Sequence, residues 1–157
     1  MKTINKIAGL VFGLFVLSVL LTSCSSGVQK DLGTGLKMSY TGLSVEDSYL
    51  KVNEGKFNSN KIPVGKEVVI ILEDVTGLQM KDGVYTILFE TTVTDPDGNY
   101  LLQYNDTLVE PEIRVLKSYI TVAEPMVPGK KYKWISTFTD LNGKGMVEAT
   151  IDIEVIE

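Results

Sequence analysis

The stretch Met146–Ile156, with the sequence MVEATIDIEVI, decides the fold class of this chain. Apolar residues occupy every second position and share one face: Val147, Ala149, Ile151, Ile153 and Val155. Polar residues occupy the positions between them: Glu148, Thr150, Asp152 and Glu154. A period of two is typical of a β-strand with one buried and one solvated face. The sequence therefore predicts a half-buried strand at this position.

Seven further segments show β patterns. The three strongest are residues 131–139, 84–94 and 68–72, and the four weaker ones are residues 36–43, 49–52, 100–104 and 113–123. After the N-terminal apolar run, no segment keeps the apolar period of an α-helix. About seven to nine strands at short spacing predict an all-β antiparallel sandwich in one domain. We place that domain at residues 36–157.

Two segments, 45 residues apart, share one pattern. Residues 92–99 read TVTDPDGN and residues 137–144 read TFTDLNGK. Each predicts a strand that ends in aspartate, followed by an Asp-Gly or Asn-Gly hairpin turn, because these pairs supply positive φ angles. We interpret the repeat as recurring hairpin chemistry within one sandwich.

Over residues 36–157, this succession of short strands and tight turns resembles that of the immunoglobulin-like and fibronectin-like modules of bacterial surface proteins. The resemblance implies a single two-sheet sandwich. Trp134 is expected to fill its core, the alternative being an aromatic platform for a ligand. Antibody-type domains join their sheets by a disulfide, whereas this chain has a single cysteine and forms no such bond within itself.

The N-terminus has the three-part layout of a secretory signal. Lys2 and Lys6 precede an apolar run at residues 7–21, and small polar residues follow it. The run would span roughly 22 Å as a helix, less than the roughly 30 Å hydrocarbon core of a bilayer. The sequence therefore predicts a cleaved signal rather than a membrane-spanning segment.

Leu21-Thr22-Ser23-Cys24, at the end of that run, resembles the lipobox of bacterial lipoproteins. The resemblance implies that residues 1–23 are a signal peptide and that Cys24 carries lipid. Because Ser25 is not aspartate, it also implies delivery to the outer membrane. Residues 24–35 are rich in serine and glycine and are expected to form a flexible tether. The alternative is a plain secretory signal cut near Ser23.

Composition narrows the classes of function. The chain has a net charge of −5, and residues 1–23 hold two lysines and no acid, so the remaining 134 residues carry −7. This charge argues against a nucleic-acid partner, which needs clustered lysine and arginine. Histidine is absent, so the commonest general base and metal ligand are missing. We expect no cofactor.

One turn faintly resembles a calcium loop. Asp95, Asp97 and Asn99 alternate, and Asp106 stands at the twelfth position, so oxygen ligands are spaced as calcium prefers. Gly98 is displaced from the position that a helix-flanked calcium loop requires, and the flanks are strands. A plain hairpin turn is therefore the preferred interpretation.

Two longer connections, residues 73–83 and 105–112, are candidate contact loops, because binding residues concentrate on loops. Their apolar residues are Leu78, Met80, Leu108 and Val109. The alternative is that these side chains fold back over the ends of the sandwich. Four tyrosines are further candidates, for stacking on sugar rings: Tyr40, Tyr49, Tyr100 and Tyr104.

These patterns favour a lipid-anchored, non-enzymatic binding or accessory module of the cell envelope. The expected partners are the membrane, through the lipid, and an envelope protein or a glycan. One alternative is a structural role by addition of a β-strand to an envelope assembly. The other is a carbohydrate-active enzyme. Glu46-Asp47 and Glu73-Asp74 are pairs of adjacent acids. Neither pair can by itself form the two carboxyl groups of a glycosidase, because neighbours in a strand face opposite sides.

Overall fold

The computed structural model describes residues 26–157, which form eleven β-strands and no helix. Their bounds are β1 Ser26–Lys30, β2 Lys37–Thr41, β3 Asp47–Val52, β4 Gly55–Phe57, β5 Lys61–Pro63, β6 Glu67–Glu73, β7 Tyr85–Thr94, β8 Tyr100–Glu110, β9 Leu116–Thr121, β10 Lys131–Asp140 and β11 Met146–Ile156. Among these residues, no helix is long and apolar enough to cross a membrane. The predicted signal peptide and Cys24 lie outside the described residues.

The strands form two sheets. The larger has the order β1-β2-β11-β10-β7-β8, with β5 also beside β11, and the smaller has the order β4-β3-β6-β9. Only the β5–β11 pair is parallel among the strand pairs of residues 26–157. The predicted all-β antiparallel sandwich is confirmed.

The number of strands exceeds the seven to nine that the sequence predicted. Each of the eight predicted segments overlaps a strand, and β11 has the predicted bounds. The three additional strands, β1, β4 and β5, have only three to five residues each. Segments this short hold too few residues for an alternating pattern to stand out, and their pairing comes from backbone hydrogen bonds.

The core lies between the sheets and is built from the alternating faces. The apolar face of β11 is buried along its length, as predicted. Trp134 and Phe138 of β10 are fully buried, so Trp134 is a core residue. Phe138 stacks on Phe89 of β7, with ring centroids 5.0 Å apart. Full burial of one such side chain contributes roughly 1.5–3 kcal/mol.

A cluster of buried hydroxyl groups connects the two sheets. The indole nitrogen of Trp134 donates to Thr91 Oγ1 at 2.9 Å, and Ser136 Oγ donates to Ser118 Oγ at 2.7 Å. Thr91 Oγ1 lies 3.1 Å from Ser136 Oγ. Ser118 belongs to β9 of the smaller sheet, whereas the other three residues belong to the larger sheet. Buried polar groups are costly unless paired, so this cluster favours one alignment of the sheets.

Tyr132 supports the immunoglobulin-like class. It lies near the start of β10, its ring is buried, and its hydroxyl accepts a hydrogen bond from the backbone N–H of Val127 at 2.9 Å. A tyrosine that bonds to backbone a few residues upstream is the tyrosine corner of immunoglobulin-like sandwiches. It fixes the crossing from the smaller sheet to the larger one.

The segment predicted as a flexible tether requires a correction. Ser26–Lys30 form β1, which pairs antiparallel with β2. Asp31 then organises a turn by accepting hydrogen bonds from Thr34 and from the backbone N–H of Gly33. Serine and glycine pair through their backbones as other residues do, so composition alone failed to reveal this strand. The domain boundaries after residues 23 and 35 stay predictions.

Candidate binding site between the edges of the two sheets

One side of the sandwich is open between β8 and β9, which are terminal strands of the two sheets. The partners of β8 on the inner face of β7, such as Val93 and Thr91, are buried. Leu102 and Tyr104, which lie opposite them on β8, stay exposed. The exposure of these inward-facing residues shows that the smaller sheet does not cover β8. An apolar inner surface is therefore accessible to solvent.

A groove of about 280 Å³ lies on this open side. Three strands line it, with the residues Phe89, Thr91, Leu102, Tyr104, Tyr119, Ile120 and Thr121. Tyr104 and Tyr119 are 49% and 65% exposed and flank the opening. Apolar and aromatic walls with a few polar groups are typical of small-molecule sites. We call this feature the β8–β9 groove.

The wall at Tyr104 rests on the core. Its ring centroid lies 6.1 Å from that of Phe89, with the planes tilted by 59°. Tilted aromatic pairs at this distance attract each other. Because Phe89 stacks in turn on the buried Phe138, the ring of Tyr104 has a firm support. A ligand would therefore meet a wall that is already in place.

The hydroxyl of Tyr104 is held by a carboxylate. It donates to Asp106 Oδ2 at 3.1 Å, and this hydrogen bond raises the pKa of Tyr104 above its ordinary value. Asp106 Oδ1 accepts from the backbone N–H of Thr107 at 2.7 Å. Asp106 thus holds the Tyr104 hydroxyl in place and offers acceptor oxygens beside the groove.

The floor of the groove is formed by Thr91. Its hydroxyl already takes part in the buried cluster with Trp134 and Ser136. No buried side-chain nitrogen or oxygen of residues 26–157 lacks a hydrogen-bond partner. The hydroxyl of Thr91 therefore has hydrogen-bond partners without a ligand. A ligand would be recognised by the exposed tyrosine rings and by Asp106.

The structure does not assemble the candidate calcium ligands. Asp95 caps its own hairpin turn, accepting from the backbone N–H groups of Asp97 and Asn99 and from the Asn99 side chain. These hydrogen bonds, that from the Asn99 side chain above all, lower the pKa of Asp95. Asp106 is paired with Phe89 in mid-strand, seven residues and roughly 24 Å of strand beyond Asn99. Within residues 26–157 there is no cluster of three acidic, cysteine or histidine side chains that could hold a metal ion.

The four candidate contact residues do not form one exposed surface. Leu108 and Val109 lie on β8, which extends to Glu110, so the predicted loop at residues 105–112 is mostly strand. Leu78 and Leu108 pack against the core, as the capping alternative expected. Met80 and Val109 are exposed.

The two connections do approach each other at the end of the sandwich. Ile113 follows β8 and packs against the core beside Leu108. With Leu78, Tyr85 and Arg114 it also lines a hollow of about 470 Å³. This hollow contains Asp74 and Glu112, but Glu112 is paired with Arg114 at 3.0 Å and both side chains are exposed. That pairing and exposure are typical of a solvated surface rather than a catalytic site.

One member of each pair of adjacent acids, Asp47 and Glu73, makes a surface contact. Asp47 lies opposite Glu73 where β3 meets β6. Asp47 pairs with Lys56 at 2.7 Å, and Glu73 accepts a hydrogen bond from the Tyr49 hydroxyl at 2.7 Å. The latter bond raises the pKa of Tyr49, and the Lys56 ammonium lies 3.9 Å from the centre of the Tyr49 ring. One face of Tyr49 is therefore covered, which disfavours sugar stacking there.

Sequence reasoning identified Tyr104 but missed Leu102 and Tyr119. Tyr119 alternates with buried neighbours in β9, so its outward position could be read from the sequence. The position of β9 beside β8 could not be read from the sequence, because it depends on which strand is the terminal strand of each sheet. The other candidate tyrosines lie elsewhere: Tyr40 is half-buried on β2, and Tyr100 is exposed outside the groove.

No family model matches the chain, and no curated protein does either. A Bacteroides fragilis structure named as a β-galactosidase is similar at 11% identity and a TM-score of 0.49, over 74% of this chain. This chain spans 18% of the length of that protein. An immunoglobulin-like protein from Pseudomonas aeruginosa is similar at 17% identity and a TM-score of 0.43, over 72% of this chain and 95% of the other. At these identities and scores, neither likeness bears on function.

Proposed function

We propose that this chain is a lipid-anchored, non-enzymatic binding module of the bacterial cell envelope, and that its β8–β9 groove binds a neutral glycan. The observation that carries the proposal is the exposed pair of rings, Tyr104 and Tyr119, flanking an apolar groove beside the carboxylate of Asp106.

The chemistry of the groove suits a sugar. The C–H faces of a pyranose ring are apolar enough to lie against a tyrosine ring, while its hydroxyl groups need hydrogen-bond acceptors. Asp106 supplies such acceptors at the edge of the groove. The residues that line the groove include no lysine or arginine, and the chain is acidic. An anionic glycan would be repelled, so a neutral one is favoured.

The same composition disfavours an enzyme at this site. Glycoside hydrolysis generally requires two carboxyl groups across the bond to be cleaved. The groove lining contains none, and Asp106 is the carboxylate that Tyr104 holds beside it. Binding therefore fits the groove better than the carbohydrate-active enzyme that the sequence left open.

The position of the predicted anchor is compatible with binding. Cys24 is separated from β1 by Ser25 alone. β1 and β8 are the opposite ends of the larger sheet, five strand spacings or roughly 24 Å apart. A lipid on Cys24 would hold the domain by the edge farthest from the groove, leaving the groove accessible.

Chitotetraose and maltotetraose, two neutral oligosaccharides, test the groove in titration calorimetry. We expect one of them to bind, and Tyr104→Ala and Tyr119→Ala each to weaken that binding at least about tenfold, the loss of one well-packed aromatic contact. Tyr100→Ala is the matched control, because Tyr100 is as exposed as Tyr119 but lies outside the groove. Failure of both sugars to bind, or equal losses in all three variants, would contradict the proposal.

The anchor is tested separately. Cys24→Ala is expected to move the protein from the membrane fraction to the soluble fraction, since two or three acyl chains hold a protein firmly and none remains in the variant. Protease treatment of intact cells then reports which side the domain faces. Continued membrane binding of the variant would exclude the lipid.

Addition of a β-strand is a second candidate function. The observation that favours it is β8, an 11-residue terminal strand with an unpaired edge among the described residues. A partner strand could bond along that edge without using the groove.

A further inference from the structure

We infer that the partner of β8 is β8 of a second copy of this chain, in an antiparallel pair with its two-fold axis at Asn105. The inference rests on the second candidate function, strand addition, and is independent of glycan binding. It would join the larger sheets of two copies into one continuous sheet.

The other terminal strands are protected in a way that β8 is not. Proteins discourage edge pairing by placing lysine, other charges or proline on terminal strands. Within residues 26–157, an exposed lysine stands on every other terminal strand: Lys30 on β1, Lys56 on β4, Lys61 on β5 and Lys117 on β9. β8 contains no lysine, arginine or proline, and its charged residues are the two acids Asp106 and Glu110. It is therefore the edge best suited to pairing.

Both faces of β8 are open where a partner must approach. All residues from Leu102 to Thr107 are exposed, on the inner and the outer face alike. No described element covers this part of the strand. An incoming strand would therefore displace only water.

The hydrogen bonds of neighbouring strands show which backbone groups of β8 are free. The N–H of Asp95 points to the β8 side, since it donates to the carbonyl of Asn99, while the carbonyl of Thr86 points to the β10 side and accepts from Leu141. Along β7, odd-numbered residues thus bond to β8. Their partners on β8 are even-numbered, as in the pair Thr91 and Tyr104. The β7–β8 register shifts by one residue before Leu102, so from Leu102 onward the free groups of β8 belong to its odd-numbered residues.

Those free groups match a self-complementary pair. Gln103, Asn105 and Thr107 each present an N–H and a C=O outward, so two copies centred on Asn105 would exchange about six hydrogen bonds. A two-fold axis across a continuous sheet keeps each side chain on its own face, so one residue must pair with itself. Asn105 is the midpoint of β8, and this register pairs residues 102–108, the regular part of the strand, symmetrically about the axis.

Side chains also favour the register at Asn105. It sets Tyr104 opposite Asp106 and Leu102 opposite Leu108 of the second copy, so no like charges face each other. Centring the pair on Asp106 would oppose two carboxylates, and centring it on Tyr104 would set Leu102 against Asp106. Cross-strand pairs of these kinds differ by roughly 0.2–1 kcal/mol each.

Cysteine cross-linking tests both the pair and its register. Three variants of the full chain are prepared in detergent, each carrying Cys24→Ser and one new cysteine. Each variant is oxidised with copper phenanthroline. In the proposed pair the two copies of residue 105 lie about 5.5 Å apart at Cα, within disulfide range, while the two copies of residue 103 lie roughly 14 Å apart. We expect Asn105→Cys to form disulfide dimers, and Gln103→Cys to match the collision control Asn53→Cys.

A mixture of chains adds a positive test of register. Gln103→Cys and Thr107→Cys should cross-link to each other, because these positions are opposed in the proposed pair, although neither cross-links to itself. Dimer yield at Asn105→Cys no higher than at Asn53→Cys would overturn the inference. Equal self-cross-linking at residues 103 and 105 would overturn the register.

A charge variant gives an independent reading without oxidation. Asn105→Asp places two carboxylates opposite each other at the axis and is expected to raise the dimer dissociation constant on the order of fivefold, less in high salt. Asn53→Asp adds the same charge to an exposed turn and should leave the constant unchanged. Sedimentation equilibrium measures both. A monomer at all concentrations, or equal effects of the two variants, would overturn the proposal even if the groove binds glycan.

Discussion

The turns of the β7–β8 and β10–β11 hairpins share the pattern Thr-x-Thr-Asp-x-x-Gly, and they lie at opposite ends of the antiparallel neighbours β7 and β10. Asp95 in the first is half-buried, and its side chain accepts hydrogen bonds only from its own turn. Asp140 in the second is 2% exposed and accepts a hydrogen bond from the distant backbone N–H of Gln79 at 2.8 Å. The turn of the first hairpin therefore bonds only within itself, whereas the turn of the second is bonded to the 77–84 connection. The comparison teaches that burial, rather than the local pattern, sets the role of a turn aspartate.

The glycines of the two turns differ in the same way. Gly98 adopts a φ of 87° and has open space where a Cβ would lie. Gly143 has no positive φ, but a Cβ there would lie 2.6 Å from Asp140 Oδ2. The expectation that both turns need a positive φ was therefore wrong for the second. There the glycine is required by the close approach of Asp140 and Gln79.

The largest expected difference is between the two aspartates. Asp140→Ala should lower the free energy of unfolding by about 2–4 kcal/mol, because the backbone N–H groups of Gln79 and Asn142 lose their buried acceptor. Asp95→Ala should cost a small fraction of that, since water replaces the lost hydrogen bonds. Urea unfolding measures both, and Asp140→Asn, which keeps one acceptor oxygen, should fall between them. Equal losses at residues 95 and 140 would refute the comparison.

The glycines should respond to side-chain size in opposite orders. Gly98→Ala is expected to cost about 1 kcal/mol through its left-handed φ, and Gly98→Asn less, because asparagine tolerates that conformation. Gly143→Ala should cost about 1–3 kcal/mol by overpacking, and Gly143→Asn more, because the larger side chain collides further. Thermal unfolding of the four variants gives the two orders. If the alanine and asparagine variants rank in the same order at residues 98 and 143, both glycines are required for the same reason, which would contradict the comparison.

The asparagines make a finer comparison. Asn142 donates to the carbonyls of Gln79 and Val84, which fasten the 77–84 connection to the hairpin. Asn142→Ala should cost about 1 kcal/mol and speed hydrogen exchange in that connection. Asn99→Ala, which loses one exposed bond to Asp95, should leave the exchange of the same amides unchanged. Faster exchange there in both variants would contradict the assignment.

The smallest effect is the pH dependence of the exposed turn. The side chain of Asn99 and nearby backbone N–H groups lower the pKa of Asp95 in the folded state. A lowered pKa stabilises the fold above the pKa of the unfolded chain, and this contribution is lost as pH falls below about 4. The stability difference between the natural chain and Asp95→Asn should therefore shrink from pH 6 to pH 2, as urea titrations at each pH would show. A difference that grows toward low pH would contradict a lowered pKa of Asp95 in the folded state.

Much of the fold was predictable because periodicity is local. Alternation along β11 and β10 identified their buried faces, including Trp134, before any contact was known. The site was only partly predictable. Tyr104 was a candidate from its residue type, but the 105–112 segment reads as a loop, because Asn105 and Asp106 are poor strand formers. Pairing with β7 overrides that preference.

The sequence by itself determined the all-β class, the faces of the long strands and the two hairpins, since each depends on neighbours within a few residues. It also carries the lipobox-like segment at Cys24, which lies outside the described residues. Only the tertiary structure decided that β8 and β9 end their sheets side by side, which opens the groove and leaves β8 unpaired. It likewise decided that Asp140 is buried and bonded to a distant segment, whereas Asp95 is only half-buried and bonded within its own turn. These properties depend on strand order, which joins residues distant in the chain and leaves no local mark in the sequence.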